Sequence, residues 1–214
     1  MRRSMAWWWL VAAFLTTPVA GFAQATIEGR VTLPPPKKGA AATPRYQTTA
    51  GAPAKVDGAA AVVYLEGTFT ATNAPAKAEL GQKNFQFMTP LLPVQKGAMV
   101  EFPNHDDDYH NVFSYSKPKR FDLGRYRKDE KPATITFNQP GVVKLYCEIH
   151  DHMRATILVL DTPYFVKTDA EGNFKLTNLP DGKYTLKVWA DDKTTEKAVE
   201  LKAGETVKVD FPSL

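Results

Sequence analysis

Short stretches in which apolar and polar residues alternate recur along the chain, and turn-forming residues separate them. In 85–102, Phe85 and Phe87 alternate with polar residues, and a turn at 96–97 leads into a second stretch. In 142–147, every second residue is apolar up to Cys147, and a further apolar stretch follows at 155–160. A period of two is typical of half-buried strands. Because 26–214 shows no convincing amphipathic helix pattern, we predict an all-β fold built from sandwiches.

The first 25 residues follow a different pattern. Arg2 and Arg3 precede an apolar run at 6–15, and Ala23-Gln24-Ala25 has the small residues of a signal-peptidase site. The run is shorter than the roughly 20 apolar residues that a spanning helix needs. We therefore predict a secretory signal peptide at 1–25, a periplasmic mature protein and no membrane span after cleavage. An uncleaved membrane anchor is the alternative.

Charge and cysteine content narrow the possible functions. The formal charge of +4 falls to +2 when Arg2 and Arg3 are removed, so nothing in the composition indicates nucleic-acid binding. Residues 117–131 are locally basic and could attract a negatively charged redox partner or only keep that face soluble. The single cysteine cannot form an internal disulfide. In an oxidising compartment such a residue is an intermolecular partner, a reactive thiol or a metal ligand.

That cysteine lies in the segment 147–153, whose sequence is Cys-Glu-Ile-His-Asp-His-Met. A thiolate, an imidazole and a thioether are the ligand types of a trigonal copper site with a weak axial sulfur. A second imidazole has to come from elsewhere in the chain, and His110, in the upstream segment 108–113, is the obvious donor. The sequence therefore predicts one type 1 copper ion held by His110, Cys147, His150 and Met153.

Each of these assignments has an alternative. A lone cysteine is usually a small buried hydrophobic residue, and a methionine beside a strand usually belongs to the core. His105 competes with His110 as the first ligand. Residues 106–108 are three consecutive aspartates, which are typical of a solvated acidic turn. A second, weaker metal site formed by these aspartates with His105 and His152 is the less favoured reading.

The stretch from Asn104 to Phe113, followed by the Cys-x-x-His-x-x-Met spacing, resembles the cupredoxins over about 85–160. The ligand loop is similar to that of amicyanin, and a closer resemblance is to bacterial plastocyanin-like proteins of the methylamine-utilisation group. This resemblance implies a Greek-key β-sandwich, copper, and redox protein partners. It also implies that Asn104 lies at the approach to the first ligand. Asn111 would join the two ligand loops and order the hydrogen bonds around the cysteine sulfur.

The ligand loop departs from the amicyanin pattern at three positions, which are Glu148, Ile149 and His152. The additional imidazole directly precedes Met153. His152 is therefore an alternative to Met153 as the axial ligand, or an exposed residue beside the site.

The chain after residue 161 has a second pattern of turns and strands, which resembles the carboxypeptidase-regulatory-like, transthyretin-type β-sandwich. About 50 residues would make a thin core by themselves. Gly29-Arg30-Val31 and Ala61-Val62-Val63 resemble the first strands of such a sandwich, and 34–58 reads as a Pro/Ala-rich linker. The predicted organisation is a signal peptide at 1–25, N-terminal strands and linker at 26–67 that could belong to the second sandwich, a cupredoxin domain at 68–161 and a regulatory-like domain at 162–214.

These features predict a periplasmic carrier that shuttles single electrons between redox partners and is not an enzyme. Four histidines are too few for the trinuclear centre of a multicopper oxidase, and a mature terminus at Thr26 lacks the histidine of a histidine-brace oxygenase. One alternative is copper binding and delivery, with His105 and His152 as additional ligands. The other is a structural envelope domain in which Cys147 has no ligand role.

Overall fold

The computed structural model describes residues 24–33, 59–69 and 77–212. Within these ranges the chain forms strands and turns, which confirms the all-β prediction, and it contains no helix long and apolar enough to cross a membrane. The predicted linker 34–58 and residues 1–23 of the predicted signal peptide lie outside the described residues. Ala25, placed by the sequence at the end of the signal peptide, is fully buried in the first strand.

Seventeen strands are present in the described part of the chain. In chain order they are β1 (Ala25–Arg30), β2 (Val62–Glu66), β3 (Lys77–Glu79), β4 (Gln82–Lys83), β5 (Gln86–Phe87), β6 (Leu91–Gln95), β7 (Met99–Glu101), β8 (His110–Ser114), β9 (Phe121–Tyr126), β10 (Thr134–Thr136), β11 (Gly141–Tyr146), β12 (Arg154–Leu160), β13 (Phe165–Lys167), β14 (Asn173–Leu179), β15 (Gly182–Ala190), β16 (Lys193–Leu201) and β17 (Thr206–Lys208). They form two sandwiches.

Strands β3 to β12 build the first sandwich. Its larger sheet has the order β6-β12-β11-β8-β9, its smaller sheet has the order β10-β7-β3, and β4 and β5 form a separate hairpin. Apolar side chains of the two sheets meet in one buried core. Val143, Leu145 and Cys147 all belong to this core, as their alternation predicts. β11 therefore brings Cys147 to the inner side of the sandwich at the end of the strand.

The second sandwich combines strands from both ends of the described chain. β1 pairs with β14 and β17, and β2 lies between β13 and β15 in a sheet of order β13-β2-β15-β16. Its core contains Ile27, Leu65, Phe174 and Leu186. In the chain, the strands of the first sandwich therefore lie between β2 and β13 of the second.

A third apolar cluster joins the two sandwiches. Leu158 and Leu160 of β12 point away from the first core and meet Trp189 of β15, whereas their neighbours in β12 point into that core. β12 is thus buried on both faces, which accounts for its unbroken apolar run. Beside this cluster, Lys144 of β11 lies 5.6 Å from the centre of the Trp189 ring and forms a 2.7 Å ion pair with Asp192.

The prediction that Phe85 lies in a strand is wrong. Asn84 and Phe85 form the turn between β4 and β5, with φ angles of 53° and 59°. This left-handed region costs a residue with a Cβ atom about 1–2 kcal/mol. Asparagine tolerates it better than most residues, whereas a phenylalanine is held there only when surrounding contacts compensate.

Candidate metal centre

Three donor side chains converge at one end of the first sandwich. His110 begins β8, Cys147 directly follows β11, and His150 lies in the loop between β11 and β12. Their donor atoms all lie within 4.8 Å of one another, and all three residues are buried. The Nδ1 atoms of His110 and His150 are 3.1 Å apart, and Sγ of Cys147 lies 3.8 Å from Nδ1 of His150.

Strand pairing explains why these residues meet. Tyr146 pairs with Phe113 of β8 on one side and with Arg154 of β12 on the other. The loop 147–153 therefore starts and ends on adjacent strands. The backbone N–H of Met153 donates to the carbonyl of His150 across 2.9 Å, which tightens the loop. One hairpin thus carries Cys147, His150 and Met153 beside the start of β8.

The donor set fits a single metal ion. Bonds of about 2.0–2.1 Å to imidazole nitrogen and about 2.3 Å to thiolate, as in zinc sites, let one ion reach two donors about 4 Å apart. The two Nδ1 atoms, 3.1 Å apart, and the Cys147 Sγ and His150 Nδ1 atoms, 3.8 Å apart, are both closer than this limit. Two imidazoles and one thiolate are also the donors of a trigonal copper site. His110, Cys147 and His150 are therefore suited to hold a soft, thiolate-preferring metal.

Met153 and His152 differ in their surroundings. Met153 is almost completely buried, and it lies in the same core as Cys147. His152 is turned towards the β4–β5 hairpin, where its Nε2 donates to the carbonyl oxygen of Phe85 across 2.9 Å. One nitrogen of His152 is thus already engaged in a hydrogen bond, whereas Met153 is buried in the core that also contains Cys147.

His105 lies apart from the three donors. It is on the surface, with its Nε2 3.7 Å from a carboxylate oxygen of Glu79. Among the described residues, no cluster at metal-binding distance combines His105 or His152 with the aspartates at 106–108. The second metal site that the sequence left open thus finds no support in the geometry.

Asp106 contacts the first histidine, and the sequence analysis missed this. Its Oδ2 lies 2.8 Å from Nε2 of His110, and its two oxygens accept the backbone N–H groups of Asn84 and Phe85 at 2.7 and 3.0 Å. The prediction of a simple solvated turn is therefore wrong at Asp106, although the next two aspartates are exposed. Burial alone would raise the pKa of Asp106. The hydrogen bonds from Phe85, His110 and Asn84 outweigh burial and lower it.

This contact determines which nitrogen of His110 is available. An ionised carboxylate can only accept a hydrogen bond, so Nε2 of His110 carries the proton and Nδ1 presents its lone pair to Cys147 and His150. Burial would lower the pKa of His110, but its contacts with the Cys147 sulfur and the Asp106 carboxylate raise the pKa instead. A carboxylate on the far nitrogen of a metal-binding imidazole both orients the ring and increases its basicity.

The Cys147 sulfur is prepared to act as a thiolate. Burial would raise its pKa, but its contacts with the His110 and His150 side chains and hydrogen bonds from the backbone N–H groups of Asn111 and His150 lower it to about 5. Because the thiolate is the metal-binding form, this environment removes most of the cost of deprotonation at neutral pH.

Asn111 joins the elements that carry the donors. Its side-chain N–H groups donate to the carboxylate of Asp122 and the carbonyl of Gly124 in β9, at 2.7 and 3.1 Å. Its side-chain oxygen accepts the backbone N–H of Glu148 across 3.3 Å. Together with its backbone hydrogen bond to Cys147, these contacts connect β8 with β9 and with the ligand loop.

Asn104 binds backbone groups of the loop that precedes His110. Its side-chain N–H groups donate to the carbonyls of Asp108 and Tyr126 at 2.9 and 3.0 Å, and its oxygen accepts the backbone N–H of Asp106 across 2.8 Å. Asn104 therefore shapes the loop that places the Asp106 carboxylate against His110.

Comparisons with known proteins match different parts of the chain. A carboxypeptidase regulatory-like domain model matches residues 153–213. Similar solved structures include amicyanin from Paracoccus versutus, with 24% identity over 43% of this chain and 85% of that chain and a TM-score of 0.36. Another is a copper-containing nitrite reductase from Thermus scotoductus, with 22% identity over 46% of this chain and 25% of that chain and a TM-score of 0.39.

No curated protein sequence matches the chain significantly. The family model confirms the predicted resemblance of the C-terminal segment to a carboxypeptidase regulatory-like domain. Each similar region covers less than half of this chain, so its chemistry has to be argued from its own side chains.

Proposed function

We propose that this cupredoxin-like chain is a type 1 copper protein that carries single electrons between redox partners in the periplasm. The observation that supports this most directly is the convergence of two imidazole Nδ1 atoms and one thiolate in a buried group. When bound, copper supplies one-electron exchange between its two oxidation states. His110, Cys147 and His150 would hold it. Met153 is the proposed weak axial ligand because it is buried in the same core as Cys147, whereas His152 forms a hydrogen bond with the Phe85 carbonyl.

The protein's contribution is to hold these donors in one arrangement. Asp106 fixes the ring and the proton of His110, while Asn111 ties the cysteine loop to β8 and β9. Ligands fixed by a folded sandwich and by neighbouring hydrogen bonds need little rearrangement when the charge of the site changes. The group is buried, which favours electron transfer over binding and conversion of a substrate at the metal.

Basic side chains beside the site support a partner with an acidic surface. Arg125 of β9 is exposed and forms a 2.8 Å ion pair with Glu148 of the ligand loop. Arg127 lies 5.3 Å from the ring centre of the exposed Tyr109, which directly precedes His110. Such charges would steer a negatively charged redox protein towards this end of the sandwich.

Replacing His110 by alanine is expected to remove the intense visible charge-transfer band of the copper-loaded protein, because the site loses one of its two imidazoles. The matched variant His105→Ala removes an imidazole near the same loop but outside the donor group, and it should keep the band. Visible absorption during titration with Cu(II) measures both. Loss of the band in His105→Ala with retention in His110→Ala would move the first ligand and contradict the proposed site.

Replacing Asp106 by asparagine is expected to raise the reduction potential by tens of millivolts. The carboxylate on His110 stabilises the more positive Cu(II) state, so its removal favours Cu(I). About 1 kcal/mol of this differential stabilisation corresponds to about 40 mV for a one-electron couple. Asp107→Asn is the control, since it removes the same charge from an exposed neighbour that pairs with Lys128. Equal shifts in the two variants would show that the contact with His110 has no special effect.

A further inference from the structure

The turn between β4 and β5 lies directly against the histidine pair. The Phe85 ring is 5.0 Å from the ring of His150 and 5.8 Å from that of His110, measured between centres, and both contacts are edge-to-face. His150 is only 4% exposed and His110 is fully buried. One side of the donor group is therefore covered by an aromatic ring that is neither a predicted ligand nor a neighbour of the ligands in sequence.

This ring is held in a conformation that phenylalanine rarely adopts. A two-residue hairpin turn with positive φ at both positions normally has glycine at the second one, which here is Phe85. A glycine would relieve the backbone strain but would provide no ring. The strained position thus coincides with the contact to both imidazoles, and such strain concentrates at functional sites when the surroundings maintain it.

Both ligand-bearing segments fasten this turn. Asp106, four residues before His110, accepts the N–H groups of Asn84 and Phe85. His152, two residues after His150, donates to the Phe85 carbonyl. Three backbone groups of the turn are thus bound by residues close in sequence to the two histidines, which holds the turn in place relative to both.

We propose that Phe85 is a positioning residue that closes the metal centre against small external ligands and keeps the two imidazoles in place. Its ring would restrict the centre to electron transfer, because a small anion cannot reach the side of the donors that the ring covers. The part of this inference that concerns bound copper rests on the proposed function. The contact of the Phe85 ring with the two histidines, which share a buried donor group with Cys147, is a property of the chain itself.

Substitutions at the two turn positions distinguish the effect of losing the Phe85 ring from the effect of loosening the turn. Phe85→Gly removes the ring and is compatible with the positive φ, and Phe85→Asn is a second ring-free variant that tolerates this conformation. Asn84→Gly is the matched control, since it places the same glycine in the same turn and keeps the ring. Circular dichroism first establishes that each variant is folded.

The first measurement uses metal-free protein and the rate at which an aromatic disulfide reagent modifies Cys147. The rate is expected to rise about tenfold or more in Phe85→Gly and Phe85→Asn, because thiol exchange depends on access to the thiolate. The rate in Asn84→Gly should stay close to that of the wild type. An unchanged rate in the ring-free variants overturns the proposal, and an equal rise in Asn84→Gly overturns it by assigning the effect to the loosened turn.

The second measurement titrates azide into the Cu(II)-loaded proteins. A saturable change in the visible spectrum is expected for the ring-free variants only. The same change in the wild type would overturn the proposal, because the ring would then exclude nothing. If no variant and no wild-type sample develops a copper charge-transfer band, while ring-free variants still show fast thiol modification, the covering role is supported and the proposed copper function fails.

Discussion

Replacing Cys147 by serine is expected to abolish the charge-transfer band of the copper-loaded protein and to lower its Cu(II) affinity by more than about 100-fold. Losses of 10–100-fold are typical for residues that only support a ligand, so loss of the ligand itself should exceed them. A hydroxyl is a much poorer ligand for copper than a thiolate. The surroundings that lower the pKa of Cys147 to about 5 also favour the negatively charged sulfur over the neutral one.

Visible absorption and a competition titration with a copper chelator measure the two effects. Met88→Leu is a suitable control, because it removes a sulfur atom from an exposed residue near the β4–β5 hairpin but outside the donor group. Cys147→Ser should keep the fold, since serine is smaller and similar in shape. A serine variant that keeps its colour would show that Cys147 is not a ligand.

Replacing Trp189 by alanine is expected to lower the free energy of unfolding by about 3–5 kcal/mol, the range for truncating a large buried aromatic residue. Trp189 is 7% exposed and packs against Leu158 and Leu160 where the two sandwiches meet. Its removal would leave a cavity between them, and Lys144 would lose its contact with the ring.

Denaturant unfolding of the metal-free protein measures this effect without a contribution from copper binding. Tyr115→Ala is the matched control, because it truncates an aromatic residue that is 74% exposed. Surface substitutions usually change stability by no more than about 0.5 kcal/mol. If the two variants lose similar stability, the cluster around Trp189 does not hold the sandwiches together.

The donor group could be predicted from the sequence because most of its information is local. Cys147, His150 and Met153 are separated by fixed spacings in one hairpin, and the alternation along β11 directs Cys147 inward. Only His110 had to be brought in from elsewhere, and the resemblance of the run His-Asn-Val-Phe at 110–113 to the cupredoxins favoured it over His105.

The surroundings of the donors could not be predicted in the same way. Nothing in three consecutive aspartates indicates which one turns inward, since that depends on the β4–β5 turn more than 20 residues earlier. Phe85 fits an alternating strand pattern, and its two-residue turn lacks the glycine that normally reveals one. The positions of Asp106 and Phe85 are set by contacts between distant segments, which a pattern along the chain does not contain.

β12 makes it difficult to divide this protein. A fragment that ended after Leu160 would expose Leu158, Leu160 and their apolar neighbours on the outer face of β12 to water. It would also leave β1 and β2 without the strands that pair with them. Exposed apolar faces and unpaired strand edges promote aggregation. The half that carries the candidate metal centre is therefore expected to be recovered as a soluble protein only when the chain is expressed with its second sandwich attached.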